Sequence, residues 1–548
     1  MSAPSAPKTK RRGLPKTRIR RVKCGEERPS CLRCLKFGIE CDGYGLLASA
    51  TETLVKKPHN LLPKATDKAL PESVLIPEPS LSLFSTEQDH RYFDVFCSKT
   101  AFEILPSFES GSLRETLLQA CVSEPSIRHA VVALGALDLT SESLGDFQNL
   151  YLDDQTENPH LHHKNALRQY TTAIKEMRAA SLKGNQDLRT TLLTCFVILC
   201  FEAWNGNQDL AVRQIQTGLR LIEAWREEIV IERQSKGYTS NPCHDANTIN
   251  DELIQTFSKL DAQAISFAEE STPEPHALVV NEERRLLDNM PAYFTSLKQS
   301  EACENAIIRQ SMRFFAIQVP LPKPPSPKRA FPVNAWWGLQ DPKALAIQQR
   351  IMKYICTWTK AFEPLWKNLH SEETDEITLL IASAQRLHIE TCAIALISVC
   401  STSEDIFDCY SSAFEDMVNL AEYSLTIVNR NKKTKPKFLL DSHVVIPLHM
   451  IAHKCRDKKI RRKAIQLLLD NPRREGVWDS TLGANIGGWA MSVEEEFCDK
   501  DGRVPGWARI HGLVFERDGE RRSALLTCEQ RTGPETEEVI MRRKIITW

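Results

Sequence analysis

The sequence of 548 residues predicts an all-α fold for the larger part of the chain. From about Thr86 onward, apolar residues recur at three- and four-residue steps, which is the spacing of one face of an α-helix. No alternating run of convincing length predicts a β-strand, and no repeat has a fixed period. Residues 1–44 differ, because they are basic, rich in cysteine and too poor in large apolar residues to form a hydrophobic core.

The helices can be placed from their apolar spacing and their end signals. Ser123-Glu124-Pro125 offers a cap and a first-turn proline, and the apolar positions from Ile127 to Leu137 predict the helix that follows. The stretch from Leu188 to Cys200 predicts a helix apolar enough to be buried, ended by Asn205-Gly206-Asn207. A returning helix from Leu210 to Ile222 would form an antiparallel pair with it. Further helices are expected near 342–366, 375–400, 411–429, 443–455 and 457–470.

Three regions organise the chain. Residues 1–44 form a small cysteine-containing module, and residues 45–85, with five prolines and no sustained periodicity, form a flexible linker. Residues 86–548 form an all-α domain that is interrupted by a Pro-rich loop at 319–333. The longest apolar stretch, around 192–201, is too short to span a bilayer, and no apolar signal segment opens the sequence. These features predict a soluble intracellular protein with no membrane partner.

Charge is distributed unevenly along the chain. The net charge is −1, yet residues 1–44 hold twelve Lys or Arg residues and four acidic residues, a net of +8. Nine of these bases lie between Lys8 and Lys23, where no acidic residue occurs. A basic arm on an acidic body is typical of proteins that bind polyanions. A solvated charge run or a nuclear-import signal is the alternative, but the neighbouring cysteines favour nucleic acid.

Cysteines are of two kinds in this sequence. Seventeen in an intracellular chain are expected to stay reduced, which argues against disulfides. Thirteen are scattered singly, and those in apolar patterns are expected to be small buried hydrophobic residues, namely Cys195, Cys200, Cys392 and Cys400. The other four are clustered as Cys24-x6-Cys31-x2-Cys34-x6-Cys41. Thiolates bind zinc tetrahedrally, and a segment without an apolar core needs such a staple to fold. The cluster therefore predicts a Zn²⁺ site with the ligands Cys24, Cys31, Cys34 and Cys41.

A short basic segment precedes the first clustered cysteine. On a helix, Ile19 and Val22 would face inward, and the charged side chains around them would form an outward cationic face. Such groups neutralise phosphates, and Arg or Lys also donates to O6 and N7 of guanine in the major groove. The expected DNA-binding residues are Lys16, Arg18, Arg20, Arg21 and Lys23.

These motifs together resemble the fungal binuclear zinc-cluster transcription factors, which combine six cysteines with a helical regulatory domain. The segments 20–24, 29–34 and 41–44 fit the third to sixth cysteines of the family pattern. Looser likeness continues at 124–130, 445–456 and 473–478. The resemblance implies a nuclear protein that binds double-stranded DNA at CGG-type half-sites and contacts the transcription machinery or co-regulators.

The chain departs from that family at the first two cysteine positions. Leu14 and Thr17 stand there, and neither side chain binds zinc, so a two-zinc cluster cannot form on this sequence without outside ligands. Three explanations stay open. The first is a missed splice junction or start site, in which case the corrected protein would hold two zinc ions. The second is a single-zinc site formed by the four remaining thiolates. The third is a vestigial finger.

The predicted function is a sequence-specific DNA-binding regulator of RNA polymerase II transcription. The alternative is a helical co-regulator with a vestigial finger that acts through protein contacts without binding DNA. An enzyme is not expected, because no convergent catalytic set is present.

Two motifs that resemble enzyme sites are discounted. Asp153-Asp154-Gln155-Thr156-Glu157 resembles a magnesium motif but has no second motif, and His449-x3-His453 lacks the glutamate of zinc enzymes. We interpret them as a solvated surface and as satisfied or surface histidines. The oligomeric state is left open.

Overall fold

The computed structural model describes the chain in segments, and all statements below refer to them. They are 83–105, 111–146, 159–183, 187–236, 251–267, 277–318, 330–332, 341–371, 374–399, 403–430, 437–518, 523–536 and 538–547, together with Lys36 and Ser401. The chain divides into two compact units, Met1–Pro79 and Ser80–Trp548. Every helix and strand given below lies in the second unit, which is the helical body of the protein. The linker proposed at 45–85 lies almost entirely outside the described residues.

The first part of the body is a set of helices around one apolar core. They are α1 (Glu87–Val95), a π-helical turn (Phe96–Thr100), α2 (Ala101–Ile104), α3 (Gly111–Ser123), α4 (Pro125–Asp146), α5 (Pro159–Leu182), α6 (Leu188–Asn205), α7 (Gln208–Lys236) and α8 (Asp251–Phe267). The predicted pair α6 and α7 is confirmed. The Asp187 side chain caps α6 by accepting from the Thr190 amide, and Gly206, at φ 92°, ends it.

Further helices build the second part of the body around two more apolar cores. They are α9 (Ala277–Asp288), α10 (Leu297–Gln318), α11 (Pro342–Ser371), α12 (Glu376–Ser398), a 3-10 helix (Glu404–Tyr410), α13 (Ser411–Arg430), α14 (Val445–Lys454), α15 (Lys458–Asp470) and α16 (Ser480–Glu495). The five helices expected from 342 onward are all present, with ends within a few residues of the predicted ones. The body is therefore predominantly helical, and the predicted fold class is confirmed.

Two helices are long and apolar enough to cross a membrane by length and composition, namely α6 and α12. The apolar stretch at 192–201 is the central part of the 18-residue α6, and the helix as a whole is longer than that stretch. Every residue of α6 from Leu192 to Trp204 is buried against the neighbouring helices. The apolar character of α6 is thus explained by its place in the core of the body.

A small sheet joins the two parts of the body. Strand β2 (Phe438–Leu439) runs parallel to β3 (Arg474–Glu475), which pairs antiparallel with β4 (Trp478–Asp479). The hairpin between β3 and β4 turns at Gly476, whose φ of 56° is the left-handed conformation that glycine adopts readily. The amide of Gly476 donates to the Leu439 carbonyl at 2.7 Å, which fixes β2 against the hairpin.

A C-terminal antiparallel sheet contradicts the expectation that no strand of convincing length exists. Its order is β1-β5-β6-β7, with β1 (Ala330–Pro332), β5 (His511–Asp518), β6 (Ser523–Arg531) and β7 (Val539–Thr547). Strand β1 lies inside the stretch 319–333 that was predicted to be loop, and Pro332 is tolerated because β1 is an edge strand. Side chains of β5 and β6 pack on α16, which attaches the sheet to the helical body.

Candidate functional site

The predicted finger lies outside the described residues. This holds for the basic residues Lys16, Arg18, Arg20, Arg21 and Lys23 and for the thiols Cys24, Cys31, Cys34 and Cys41. Their roles stay predictions from the sequence. Within the described part of the chain, no group of three or more His, Cys, Asp or Glu side chains could hold a metal ion.

The scattered cysteines that the structure describes are free thiols. Cys195, Cys200 and Cys392 are buried, as expected for small hydrophobic residues. Burial raises the pKa of the Cys392 thiol to about 12 and also raises the pKa of Cys200. Because the thiolate is the reactive form, these side chains are chemically inert and serve packing. Cys400 lies outside the described residues.

The two histidines of α14 are packing residues in the body. The Nδ1 of His449 donates to the Gly483 carbonyl at 3.3 Å, and His453 is 1% exposed. Burial lowers the pKa of both imidazoles, so both rings are neutral near pH 7. Their ring centroids are 6.4 Å apart, and no metal-binding cluster forms around them among the described residues. The acidic stretch 153–157 lies outside the described residues.

The helical body contains a cavity of about 290 Å³ where its two parts meet. Helices α8, α10 and α12 form its walls, and the segment Asp441–Ser442–His443, between β2 and α14, closes one side. Much of the wall is apolar, with side chains such as Leu297, Ile308, Met312 and Ile381. An apolar cavity with a few convergent polar groups is the usual form of a small-molecule site.

Ionised groups are concentrated on one side of this cavity. Lys259 of α8 forms an ion pair with Glu301 of α10, and the Nδ1 of His388 on α12 bonds to Glu304 at 2.9 Å. Burial would lower the pKa of Lys259, but the carboxylates of Asp441, Glu301 and Glu304 outweigh it, and the pKa is raised. The same balance raises the pKa of His388, with Glu304 as the main opposing group. Lys259 and His388 therefore both lie in a net field of carboxylates.

The backbone at the end of the segment 441–443 is held by a buried acid. Glu475 is fully buried, and its Oε2 accepts from the amides of His443 at 2.7 Å, Val444 at 3.0 Å and Val445 at 2.9 Å. These are amides at the start of α14 that have no partner within the helix, and a carboxylate also suits the positive end of the helix dipole. Glu475 thus fixes the backbone on one wall of the cavity.

The helix α8 is tied to the same wall through Gln263. The Nε2 of Gln263 donates to the Leu440 carbonyl at 3.3 Å, and its Oε1 accepts from the Val477 amide at 3.2 Å. The cavity is not predictable from local patterns, because its lining residues run from Lys259 to Trp478 along the chain. A sequence signal for this region is the stretch 473–478, which resembles the family pattern and contains Glu475, but that resemblance does not indicate the role of Glu475.

Comparison with known proteins identifies the class of this chain. The model of the fungal Zn(2)-Cys(6) binuclear cluster domain matches residues 18–46, and the model of the fungal specific transcription factor domain matches residues 90–267. The second match runs from within α1 to the end of α8. The cysteine-rich segment and the first part of the body are therefore similar to the two domains that fungal zinc-cluster transcription regulators combine. The first match begins at Arg18, after Leu14 and Thr17, and includes all four clustered cysteines.

Two curated relatives carry similar sequences. Transcription regulator lscL from Purpureocillium lilacinum is 27% identical over 258 residues, which are 46% of this chain and 58% of lscL. The aspercryptin biosynthesis cluster-specific transcription regulator atnN from Emericella nidulans is 22% identical over 595 residues, which are 91% of each chain. The chain thus spans under two thirds of lscL but nearly all of atnN. No solved structure matches this chain.

Proposed function

We propose that this protein is a nuclear, sequence-specific DNA-binding regulator of RNA polymerase II transcription. The observation that carries the proposal is the basic segment 18–23 directly before four clustered thiols, both inside the stretch that matches the zinc-cluster domain. A short helix that is held by a metal site and has a cationic face is suited to the major groove, where Arg and Lys contact guanine. The match at 90–267 supports the regulatory role of the body.

The finger would divide its work between base contacts and phosphate contacts. Arg20 and Arg21 would read bases of a CGG-type half-site, and Lys16, Arg18 and Lys23 would contact phosphates, which supply affinity but no sequence information. Cys24, Cys31, Cys34 and Cys41 would hold one Zn²⁺. Residues 86–548 would contact the transcription machinery or co-regulators. The likeness to atnN along both chains supports the narrower proposal that the target genes belong to a biosynthetic gene cluster.

The proposal is tested by selecting DNA sites with the purified full chain from a library of random duplexes. We expect enrichment of a short motif that contains CGG, and loss of that enrichment in Cys31→Ser, because zinc thiolates support the finger. The exposed Cys356→Ser is the matched control and should select the same motif as the wild type. If neither protein enriches any motif, while the body still regulates a reporter when tethered to DNA, the vestigial-finger alternative replaces this proposal.

A further inference from the structure

We propose that the cavity bounded by α8, α10, α12 and Asp441–Ser442–His443 binds a small-molecule effector that has an apolar body and one protonated amine. This inference goes beyond DNA binding and concerns only the helical body. It rests on the size of the cavity, on its wall chemistry and on the polar groups that the protein leaves without partners there.

The size and the apolar part of the wall define the body of the ligand. An apolar cavity of roughly 150 Å³ accepts benzene. The cavity in this protein, at about 290 Å³, is nearly twice that volume. Leu297, Ile308 and Ile381 stand on two different helices and provide apolar contacts. A ligand with a single ring and a short aliphatic chain fits these dimensions.

The charges of the wall define the head of the ligand. The carboxylates Glu301, Glu304 and Asp441 line the cavity together with two lysines, the largely buried Lys259 and the exposed Lys298. Lys259 is paired with Glu301, and Glu304 is bonded to His388. Asp441 raises the pKa of Lys259 through its charge, but it forms no hydrogen bond or close ion pair with another residue of the described segments. A carboxylate in this position attracts a cation and repels an anion.

Polar atoms next to Asp441 provide further hydrogen-bonding groups for an ammonium group. Ser442 Oγ and His443 Nε2 follow Asp441 directly, and both atoms are buried without a hydrogen-bond partner among the described residues, as is His388 Nε2. A buried polar atom without a partner costs free energy, which a ligand hydrogen bond would recover. Burial lowers the pKa of His443, so its ring is neutral and adds no competing charge.

The position of the cavity gives the ligand a way to affect the whole body. Lys259 and Gln263 belong to α8, which packs in the first apolar core, while the other walls belong to the second part of the body. A ligand that contacts both parts binds only when they are docked. Its binding therefore stabilises the docked arrangement by mass action.

The test uses the full chain and three probes of equal shape and different head charge: 3-phenylpropylamine, 3-phenylpropan-1-ol and 3-phenylpropionate. Binding is measured by calorimetry and by the rise in unfolding temperature with probe concentration. We expect the amine to bind, the alcohol to bind at least tenfold more weakly, and the carboxylate not to bind. Equal affinity for all three probes, or the absence of binding by the amine, would overturn the proposal.

Variants locate the binding within the cavity. Asp441→Asn keeps the shape of the side chain and removes its charge, so it should weaken the amine about tenfold or more and leave the alcohol unchanged. Asp416→Asn, at an exposed position of α13, is the matched control and should bind as the wild type does. Unfolding of each variant without probe shows that the fold is kept. Wild-type amine affinity in a folded Asp441→Asn protein would show that the amine does not bind at Asp441.

Discussion

Arg461 on α15 and Glu494 on α16 form an ion pair in the interior of the body. The Nη1 of Arg461 donates to Glu494 Oε2 at 2.7 Å, and neither side chain is more than 1% exposed. The other oxygen of Glu494 accepts from Arg456 at 2.7 Å and from the Ile510 amide at 3.1 Å. One carboxylate therefore joins α15, α16, the α14–α15 turn and the segment that enters the C-terminal sheet.

Replacement of Glu494 by Gln should strongly destabilise the protein. The change leaves the buried guanidinium of Arg461 without an anion and that of Arg456 with Glu404 alone, and breaking a buried pair from one side costs roughly 3–5 kcal/mol. Glu495→Gln is the control, because its partner Arg462 is 48% exposed and such a surface pair contributes about 1 kcal/mol or less. Urea unfolding of both variants measures the difference. Equal losses for the two variants would contradict the role given to Glu494.

The contribution of Glu494 should also depend on pH. Burial alone would raise the pKa of Glu494, but Arg456 and Arg461 outweigh it and lower the pKa from 4.5 to about 2. A carboxylate with a depressed pKa stabilises the fold above its unfolded pKa and loses that effect as pH falls toward the folded pKa. The difference in unfolding free energy between wild type and Glu494→Gln should be constant above pH 5 and shrink below about pH 4.5. A difference that grows on acidification would refute this account.

Local periodicity predicted the helices well and the C-terminal sheet poorly. The buried positions of β6 are Ala524, Leu526, Cys528 and Gln530. Only Leu526 is strongly apolar, so the burial alternates while the hydropathy does not, and the strand leaves no clear pattern in the sequence. In strand β7 apolar residues occupy exposed positions instead, since Val539, Met541 and Ile545 are exposed. Both segments form strands because they pair with neighbouring strands of the sheet, and such pairing cannot be read from local sequence.

The cavity could not be predicted for a related reason. Asp441, Ser442 and His443 carry no motif, and their position depends on Glu475, which lies more than 30 positions later and accepts from the His443 amide. The zinc-cluster segment is the reverse case, since the short fixed spacing of its thiols indicated, from the sequence alone, the domain whose model matches residues 18–46. Local chemistry is visible in a sequence, whereas a site assembled by tertiary packing is visible only in the fold.

Two adjacent glycines of α16 should respond in opposite directions to substitution by alanine. A Cβ on Gly487 would lie 2.6 Å from the Ala452 Cβ of α14, whereas a Cβ on Gly488 would meet nothing within 4 Å. Gly487→Ala should therefore cost about 1–3 kcal/mol through overpacking. Gly488→Ala should stabilise the protein by about 0.5–1 kcal/mol, because alanine favours the helix. Thermal and urea unfolding measure both, and a destabilised Gly488→Ala would contradict the packing described.

Metal content should follow from the number of clustered thiols. The chain offers four, enough for one tetrahedral site and not for two. The purified full chain should therefore hold about one zinc ion, which is lost in Cys31→Ser and kept in Cys356→Ser. Elemental analysis gives the ratio. Two zinc ions on this sequence would show that the ligand assignment is wrong, and none would favour a vestigial finger.

The stoichiometry on DNA should reflect the linker. Residues 45–85 hold five prolines and no apolar heptads, so a coiled coil next to the finger is not encoded. We expect the full chain to protect a single half-site, as a monomer or as a weak dimer held through the body. Footprinting across the selected site measures this. Protection of two half-sites at one fixed spacing would refute the prediction.

Substitutions of basic residues near the finger should distinguish residues that contact bases from residues that contact phosphates. Arg20→Ala or Arg21→Ala removes donors to guanine, so each should weaken specific binding by about 1–3 kcal/mol and relax the sequence preference. Lys16→Ala removes a phosphate contact, so it should weaken binding to cognate and random DNA alike and reduce the salt slope by about 1. Titrations on both duplexes at several salt concentrations measure these effects. Because a base contact exists only on the cognate site, equal losses on the two duplexes for Arg20→Ala and Arg21→Ala would exclude base reading by these residues.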